Sequence, residues 1–222
     1  MIKRSFDIVA SLFGLLVCGM PFAIIALAVR LTSSGPALYR QQRVGRYGRV
    51  FWLYNVRTMR CMEGGPQVTA EGDTRITPIG RVLRRLRIDE LPQLWNILRG
   101  DMSVVGPRPE VERFVQQYTP EQRRVLEQTP GLTGLSQLAF AHEAELLQGY
   151  PDPEDVYVRY VVPSKLAIDL EYGRTRTFLS DLSIVVRTML VVLGKKYGSV
   201  DACRIPPPGE VKLARLPHGT VS

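Results

Sequence analysis

Asp89 and Glu90 are adjacent carboxylates in a chain whose 29 lysines and arginines outnumber its 21 aspartates and glutamates, for a formal charge of +8. Such a pair can hold a magnesium ion, which takes one or two carboxylates and completes its shell with waters and substrate phosphates. Arg84 lies about one turn before the pair, and Arg108 is set rigidly between Pro107 and Pro109. Guanidinium groups so placed suit bidentate contacts with phosphate oxygens. The chemistry suggested is the handling of a phosphorylated substrate. A plainer reading competes with it. In the run Arg87-Ile88-Asp89-Glu90-Leu91-Pro92-Gln93-Leu94, Asp89 is a good helix N-cap, Glu90 falls in the first turn and Pro92 is tolerated there. A helix starting at the pair explains both carboxylates by itself, and it would also aim backbone amides at any phosphate present.

The elements around the pair follow from periodicity. From Ile79 to Arg99 apolar residues recur at helical spacing (Val82, Leu83, Leu86, then Leu91, Leu94, Trp95, Leu98) with arginines on the other side, which predicts two amphipathic helices meeting at the acidic pair. Upstream, 37–43 and 50–56 alternate as short strands joined by the basic, glycine-containing 44–49, a hairpin. The polar stretch 61–77 reads as a loop whose most useful residues are Asp73 and Arg75. Downstream, helices are predicted over 118–128 with Thr119 as N-cap, over 154–172, and over 179–193 beginning at Ser180-Asp181. The last is too short to cross a bilayer and is expected to pack on the N-terminal segment or lie in the membrane interface.

That N-terminal segment, 6–29, is almost continuously apolar with Asp7 its only charge. A helix of this length, at about 1.5 Å per residue, could cross the roughly 30 Å hydrocarbon core. A signal peptide has a shorter apolar region. A straight span conflicts with the positive-inside rule, because Lys3 and Arg4 precede the segment while Arg30, Arg40, Arg43, Arg46 and Arg49 follow it. A break at Met20-Pro21 that returns the chain to the side it came from resolves the conflict, since proline removes an amide donor and crowds the preceding turn.

Several motifs occur together in one order: Lys3-Arg4 with Asp7, Arg57-Thr58-Met59, the Asp89–Leu94 block, Gly100-Asp101-Met102-Ser103, Gly106-Pro107-Arg108-Pro109-Glu110, and Pro130-Gly131-Leu132-Thr133-Gly134. Weaker echoes run through Tyr160, Lys165, Asp169-Leu170 and Asp181-Leu182. In this order the chain resembles the monotopic phosphoglycosyl transferases of the bacterial sugar transferase family over roughly residues 3 to 193. The resemblance implies an α+β, mostly helical fold with an N-terminal re-entrant membrane helix-break-helix, a small β-hairpin and interfacial amphipathic helices around the active site. The family often has Ser-Pro at the break, where this chain has Met20-Pro21. Three regions are expected: a membrane anchor over 1–34, a catalytic domain over 35–193 and a C-terminal tail over 194–222.

The same resemblance implies transfer of a phosphosugar from a UDP-sugar to a polyprenol phosphate, with Asp89 as nucleophile, Glu90 chiefly a ligand of Mg2+, and UMP released. Arg84, Arg108, Arg75 and Arg57 are the expected substrate-binding residues, and Gly131, Thr133 and Gly134 shape a loop near the site or serve as a structural turn. The expected setting is the cytoplasmic face of a bacterial inner membrane, with homodimerisation left open. A transferase that moves the sugar without its phosphate, releasing UDP, is the nearer rival. A membrane-anchored nucleic-acid-binding protein would also suit the charge, but no nucleic-acid-binding motif is present and no nucleic-acid partner is expected. The three cysteines, Cys18, Cys61 and Cys203, are widely spaced and only two histidines, His142 and His218, occur, so neither a disulfide framework nor a zinc site is indicated.

Overall fold

The long apolar segment forms one helix, α1 (Ile2–Thr32), with Pro21 inside it. The structure is a computed structural model that describes residues 2–60, 68 and 72–195. Most of the expected 61–77 loop, with Cys61, and the tail beyond 195, with Cys203 and His218, lie outside the described residues. The expected interruption at Met20-Pro21 is not found: the helix continues through the proline. Neighbouring turns on either side carry helical geometry past a single missing amide, so the lost hydrogen bond does not end the element.

Burial in α1 is inverted relative to a soluble helix. Its buried residues are Asp7, Ser11 and Val29, whereas Leu16 and Met20 are 82% and 78% exposed. The helix is long and apolar enough to cross a membrane by length and composition. Both of its ends are fastened to the same body. Near the start, Lys3 Nζ donates to the Val105 carbonyl at 2.9 Å and pairs with Asp181 at 2.7 Å. Arg4 donates to the carbonyls of Ile97 and Leu98 at 2.6 and 2.8 Å, and Asp7 Oδ1 accepts from Ser103 Oγ and the Val104 amide. At the far end, Arg57 Nη2 donates to the carbonyl and hydroxyl oxygens of Ser33 at 2.8 and 2.9 Å.

Strands β1 (Leu38–Val44) and β2 (Val50–Val56) form the expected hairpin, antiparallel from Leu38 opposite Val56 to Val44 opposite Val50. Tyr47 and Gly48, at φ 57° and 76°, make the turn. Then α2 (Pro78–Arg85) is capped by Thr77, whose hydroxyl accepts from the Gly80 amide at 3.0 Å. A second helix, α3 (Gln93–Arg99), lies against β2. Asn96 completes that contact by donating to the Trp52 carbonyl and accepting from the Tyr54 amide, so its buried side-chain amide mimics a strand partner.

Two helices thus flank the acidic pair as expected, but Asp89 is not an N-cap. The pair sits in a single 3-10 turn, Ile88–Glu90, and α3 begins only at Gln93, with Pro92 in the capping position. Arg87 preceding the turn has φ 52°, a left-handed conformation uncommon outside glycine and the kind of strain held in place near functional sites. It turns the chain between α2 and α3, and both carboxylates line a cavity shared with the hairpin.

A two-stranded parallel sheet, absent from the periodicity reading, joins two of the sequence motifs. Strand β3 (Ser103–Val105) pairs with β4 (Gly131–Thr133), Ser103 opposite Gly131 and Val105 opposite Thr133. A β-carbon on Gly131 would stand 2.1 Å from the Gly106 amide nitrogen, so this glycine is required by backbone approach. The rest of the body is helical: α4 (Glu112–Val115), a 3-10 helix over Gln122–Glu127, α5 (Leu135–Ala139), α6 (Glu143–Leu146), α7 (Pro153–Val156) running through a π turn into α8 (Val162–Thr175), and α9 (Phe178–Val192). The expected α-helix over 118–128 is therefore the 3-10 helix, and its N-cap is Glu121, not the expected Thr119, whose hydroxyl accepts from the Gln122 amide in the turn before it. The expected helix over 154–172 is the α7–α8 run, and the one over 179–193 is α9, whose cap is Thr177 in a reciprocal pair with Ser180. The main core gathers Val44, Phe114, Tyr157, Val161 and Leu166, and a second one Ile97, Met102, Val105, Leu138 and Ile184.

Candidate active site

The space the acidic pair faces is a cavity of about 540 Å³ bounded by the hairpin, the α2–α3 turn, the segment after β3, and α5 to α8. Glu90 is buried and neutralised on the spot: its Oε1 accepts from Arg108 Nη2 at 3.0 Å, and its Oε2 lies 3.8 Å from Arg87 Nη1. Asp89 forms no ion pair among the described residues. Burial, reinforced by the neighbouring Glu90 charge, pushes its carboxyl up to about 6, with Arg84 and Arg108 opposing the shift. The two adjacent carboxylates therefore differ in state: one is matched to a cation, the other is a partly desolvated anion facing a cavity.

Three of the four expected arginines converge on this cavity in a way that fits anion binding. Arg108, held by the Pro107–Pro109 backbone that β3 and β4 fix in place, reaches Glu90 on one side and Gln137 Oε1 at 3.5 Å on the other. Its guanidinium is held still more firmly protonated by the Glu90 charge. Arg84 projects from α2 with its Nε on Thr58 Oγ1 at 2.8 Å and lies in the fields of Asp89 and Asp73. Arg75 lines the same cavity and is paired with Asp73 at 2.6 Å, a contact that holds the Asp73 carboxyl below its ordinary range.

Arg57 has a second attachment. It lines the cavity, but its guanidinium turns to Ser33 at the end of α1, and a β-carbon on Gly35 would meet its Nη1 at 2.3 Å. Its Nη2 thus fastens the end of α1, while its Nε and Nη1 have no hydrogen-bond partner among the described residues. The glycines at 131 and 134 are likewise backbone-packing positions: a β-carbon on Gly134 would stand 2.4 Å from the Gly106 carbonyl oxygen. Gly131 opens β4 and Gly134 precedes α5 in extended backbone, so close backbone approach rather than a turn requires both.

Sequence reading missed Gln137, Glu143 and Tyr157, and it noted Lys165 only as part of a motif. Gln137 is 7% exposed, lines the cavity, and its Nε2 has no hydrogen-bond partner among the described residues. Lys165 pairs with Glu143, while the Tyr157 hydroxyl donates to Glu110, which also meets Arg43 at 3.4 Å. Only the polarity of Gln137 and Lys165 within otherwise apolar helical stretches could have flagged them.

The site offers a metal few ligands. No group of three or more His, Cys, Asp or Glu side chains gathers among the described residues. The unpaired Asp89 carboxylate beside Glu90 Oε2 is nevertheless a fitting donor set for a hard cation that takes most of its ligands from phosphate and water.

The family model for bacterial sugar transferases matches residues 1–195. A UDP-glucose:undecaprenyl-phosphate glucose-1-phosphate transferase of Caulobacter vibrioides is 40% identical over 84% of this chain and 68% of its own length. A UDP-N-acetylgalactosamine-undecaprenyl-phosphate N-acetylgalactosaminephosphotransferase of Aeromonas hydrophila is 34% identical over 86% of this chain but only 44% of its own length, so the chain spans less than half of that relative. The exopolysaccharide production protein PSS of Rhizobium leguminosarum is 35% identical over 89% of this chain and 98% of its own. With a match that covers α1 through α9, the chain belongs to the bacterial sugar transferase family.

Proposed function

We propose that the protein transfers a sugar phosphate from a UDP-sugar to undecaprenyl phosphate in two displacements at Asp89, as the first membrane step of a bacterial glycoconjugate. The observation that carries this is the unpaired, desolvated Asp89 carboxylate in an arginine-lined cavity, and the names of the relatives support the donor and acceptor classes. In the first step Asp89 attacks the β-phosphorus, the bond from that phosphorus to the bridging oxygen breaks, and UMP leaves. An acyl phosphate joins Asp89 to the sugar phosphate. In the second, a phosphate oxygen of the acceptor attacks the same phosphorus, the bond to Asp89 breaks, and the carboxylate is restored.

Arg108 and Arg84 stabilise charge on the phosphoryl oxygens, and Glu90 holds Arg108 in line. Asp89 and Glu90 would hold Mg2+ together with the diphosphate, where the ion supplies charge neutralisation. Both ends of α1 are tied to one body, which supports a monotopic arrangement with both flanks on the cytoplasmic face of the inner membrane. The apolar residues exposed on α2, α3 and α9, among them Val82, Trp95, Leu179 and Met189, suit the membrane interface.

Incubation with a UDP-sugar labelled in the sugar, without acceptor, tests the reading. Label on the peptide containing Asp89 and stoichiometric UMP are expected. Release of UDP with no labelled peptide would overturn it in favour of direct sugar transfer.

A further inference from the structure

Beyond the acidic pair the cavity continues along a wall that the phosphoryl chemistry does not use. Gln137 stands there one guanidinium away from Glu90, since Arg108 contacts both. It is buried, faces the cavity, and its Nε2 donors are unclaimed among the described residues. Farther along, Lys165 Nζ lies 5.8 Å from the ring centroid of Phe140 and 5.1 Å from that of Tyr157, and it pairs with Glu143. The ammonium has three donors and the carboxylate about four acceptor positions, so the pair leaves hydrogen-bonding capacity on both partners. A buried amide, a cation and an anion set against two aromatic rings are a poor receptacle for phosphate, which Glu143 would repel. They are a good one for a pyranose, whose hydroxyls both donate and accept and whose C–H face packs on aromatic carbon.

Connectivity decides which part of the donor reaches this wall. In a UDP-sugar the sugar is attached directly to the β-phosphorus that Asp89 attacks, and the nucleoside lies beyond the α-phosphorus. Arg84, in the fields of Asp89 and Asp73, and Arg75, paired with Asp73, are the cations left for the leaving nucleotide. We infer that Gln137, Glu143 and Lys165, backed by Phe140 and Tyr157, form the subsite that holds the sugar ring and discriminates among donors by their hydroxyl pattern. This rests on the transferase reading for the orientation of the donor.

The test measures equilibrium binding of UDP-glucose, UDP-galactose, UDP-N-acetylgalactosamine and UMP to the full chain in lipid nanodiscs by calorimetry, for wild type and for Glu143→Gln and Gln137→Leu. UMP release with undecaprenyl phosphate is followed alongside. The expected result is a change of about tenfold or more in the affinity ratio between at least two of the UDP-sugars, since a hydrogen bond to a charged group is lost, with UMP affinity moved less than about twofold. An equal loss for all three donors together with UMP would overturn the inference and assign the wall to the nucleotide. Unchanged ratios in both variants, with melting temperatures showing them folded, would overturn it as well, as would a wild type that binds UMP but no UDP-sugar more tightly. Altered ratios without any UMP release would support the subsite while refuting the transferase reading.

Discussion

Two clusters of carboxylates sit at opposite ends of α3, and they are treated differently. Near its C-terminus, Asp7 Oδ1 accepts from Ser103 Oγ at 3.0 Å and the Val104 amide at 2.9 Å, while Asp181 takes Lys3 on one oxygen and the Tyr172 hydroxyl on the other. Before its N-terminus, Glu90 is matched by Arg108 but Asp89 has no cation of its own among the described residues, and burial raises its carboxyl to about 6. A saturated buried carboxylate fastens elements together, here α1 to β3 and α9. An unsaturated one facing a cavity costs stability and is available for chemistry. The number of partners, more than burial itself, separates anchor from site.

Substitution should separate the clusters most sharply. Asp89→Asn is expected to lower turnover by at least about a thousandfold, as loss of a nucleophile does, while raising stability at pH 7 by on the order of 1–3 kcal/mol because a destabilised charge is removed. Asp7→Ala should do the reverse, costing about 1–3 kcal/mol for each buried donor left unpaired with activity per folded molecule retained. Denaturant melts in detergent alongside UMP release measure both. A destabilised Asp89→Asn would erase the contrast.

Removal of divalent cations by excess chelator should reduce the rate by on the order of a hundredfold or more, since Lewis-acid stabilisation is worth several kcal/mol, and added Mg2+ should restore it. Full activity in chelator would leave the open carboxylate with the nucleophile role alone. Arg108→Ala removes the nearer of the two cations on Glu90. A fall in kcat/KM of about 10-fold to 150-fold, equivalent to 1.5–3 kcal/mol, is expected, and an unchanged value would return Arg108 to a purely structural role.

The smallest effect is in pH. With the Asp89 carboxyl near 6, kcat/KM should fall about tenfold per unit as pH drops below that value, because the protonated acid is no nucleophile. The stability term has the opposite sense. A carboxyl raised from 3.8 to about 6 binds its proton more tightly in the folded state, so its contribution is fully present below 3.8 and is lost as pH rises through 6. Comparing the pH dependence of unfolding in wild type and Asp89→Asn isolates that term. Identical slopes between pH 4 and 6 would mean that Asp89 is not desolvated in solution.

Locally encoded features were legible in the sequence: the alternation of β1 and β2 around a glycine turn, the leucine periodicity of α2 and α3 on either side of the acidic pair, and the α9 boundaries. Each depends on neighbours within a few residues, where side-chain period and capping chemistry act. The acidic pair itself was legible, with the arginines that face it. Its setting was misread, because Asp89 and Pro92 are equally good in a helix start and in a tight turn before one, and only packing of α2 and α3 against the hairpin selects the left-handed Arg87 that separates them.

What the sequence determined by itself is the apolar α1, the hairpin and the existence of two carboxylates amid arginines, since period and composition act without the rest of the chain. Tertiary structure alone decided the remainder. The β3–β4 ladder links residues 28 apart through backbone groups that every sequence carries, and it is what puts Arg108 beside Glu90. Arg57 became a clamp and Gln137 and Lys165 came to line the cavity because side-chain direction is set by contacts between distant elements. The difference between Asp89 and Glu90 arose the same way: adjacent in sequence and equal in charge, they diverge only in which cations folding brings within reach.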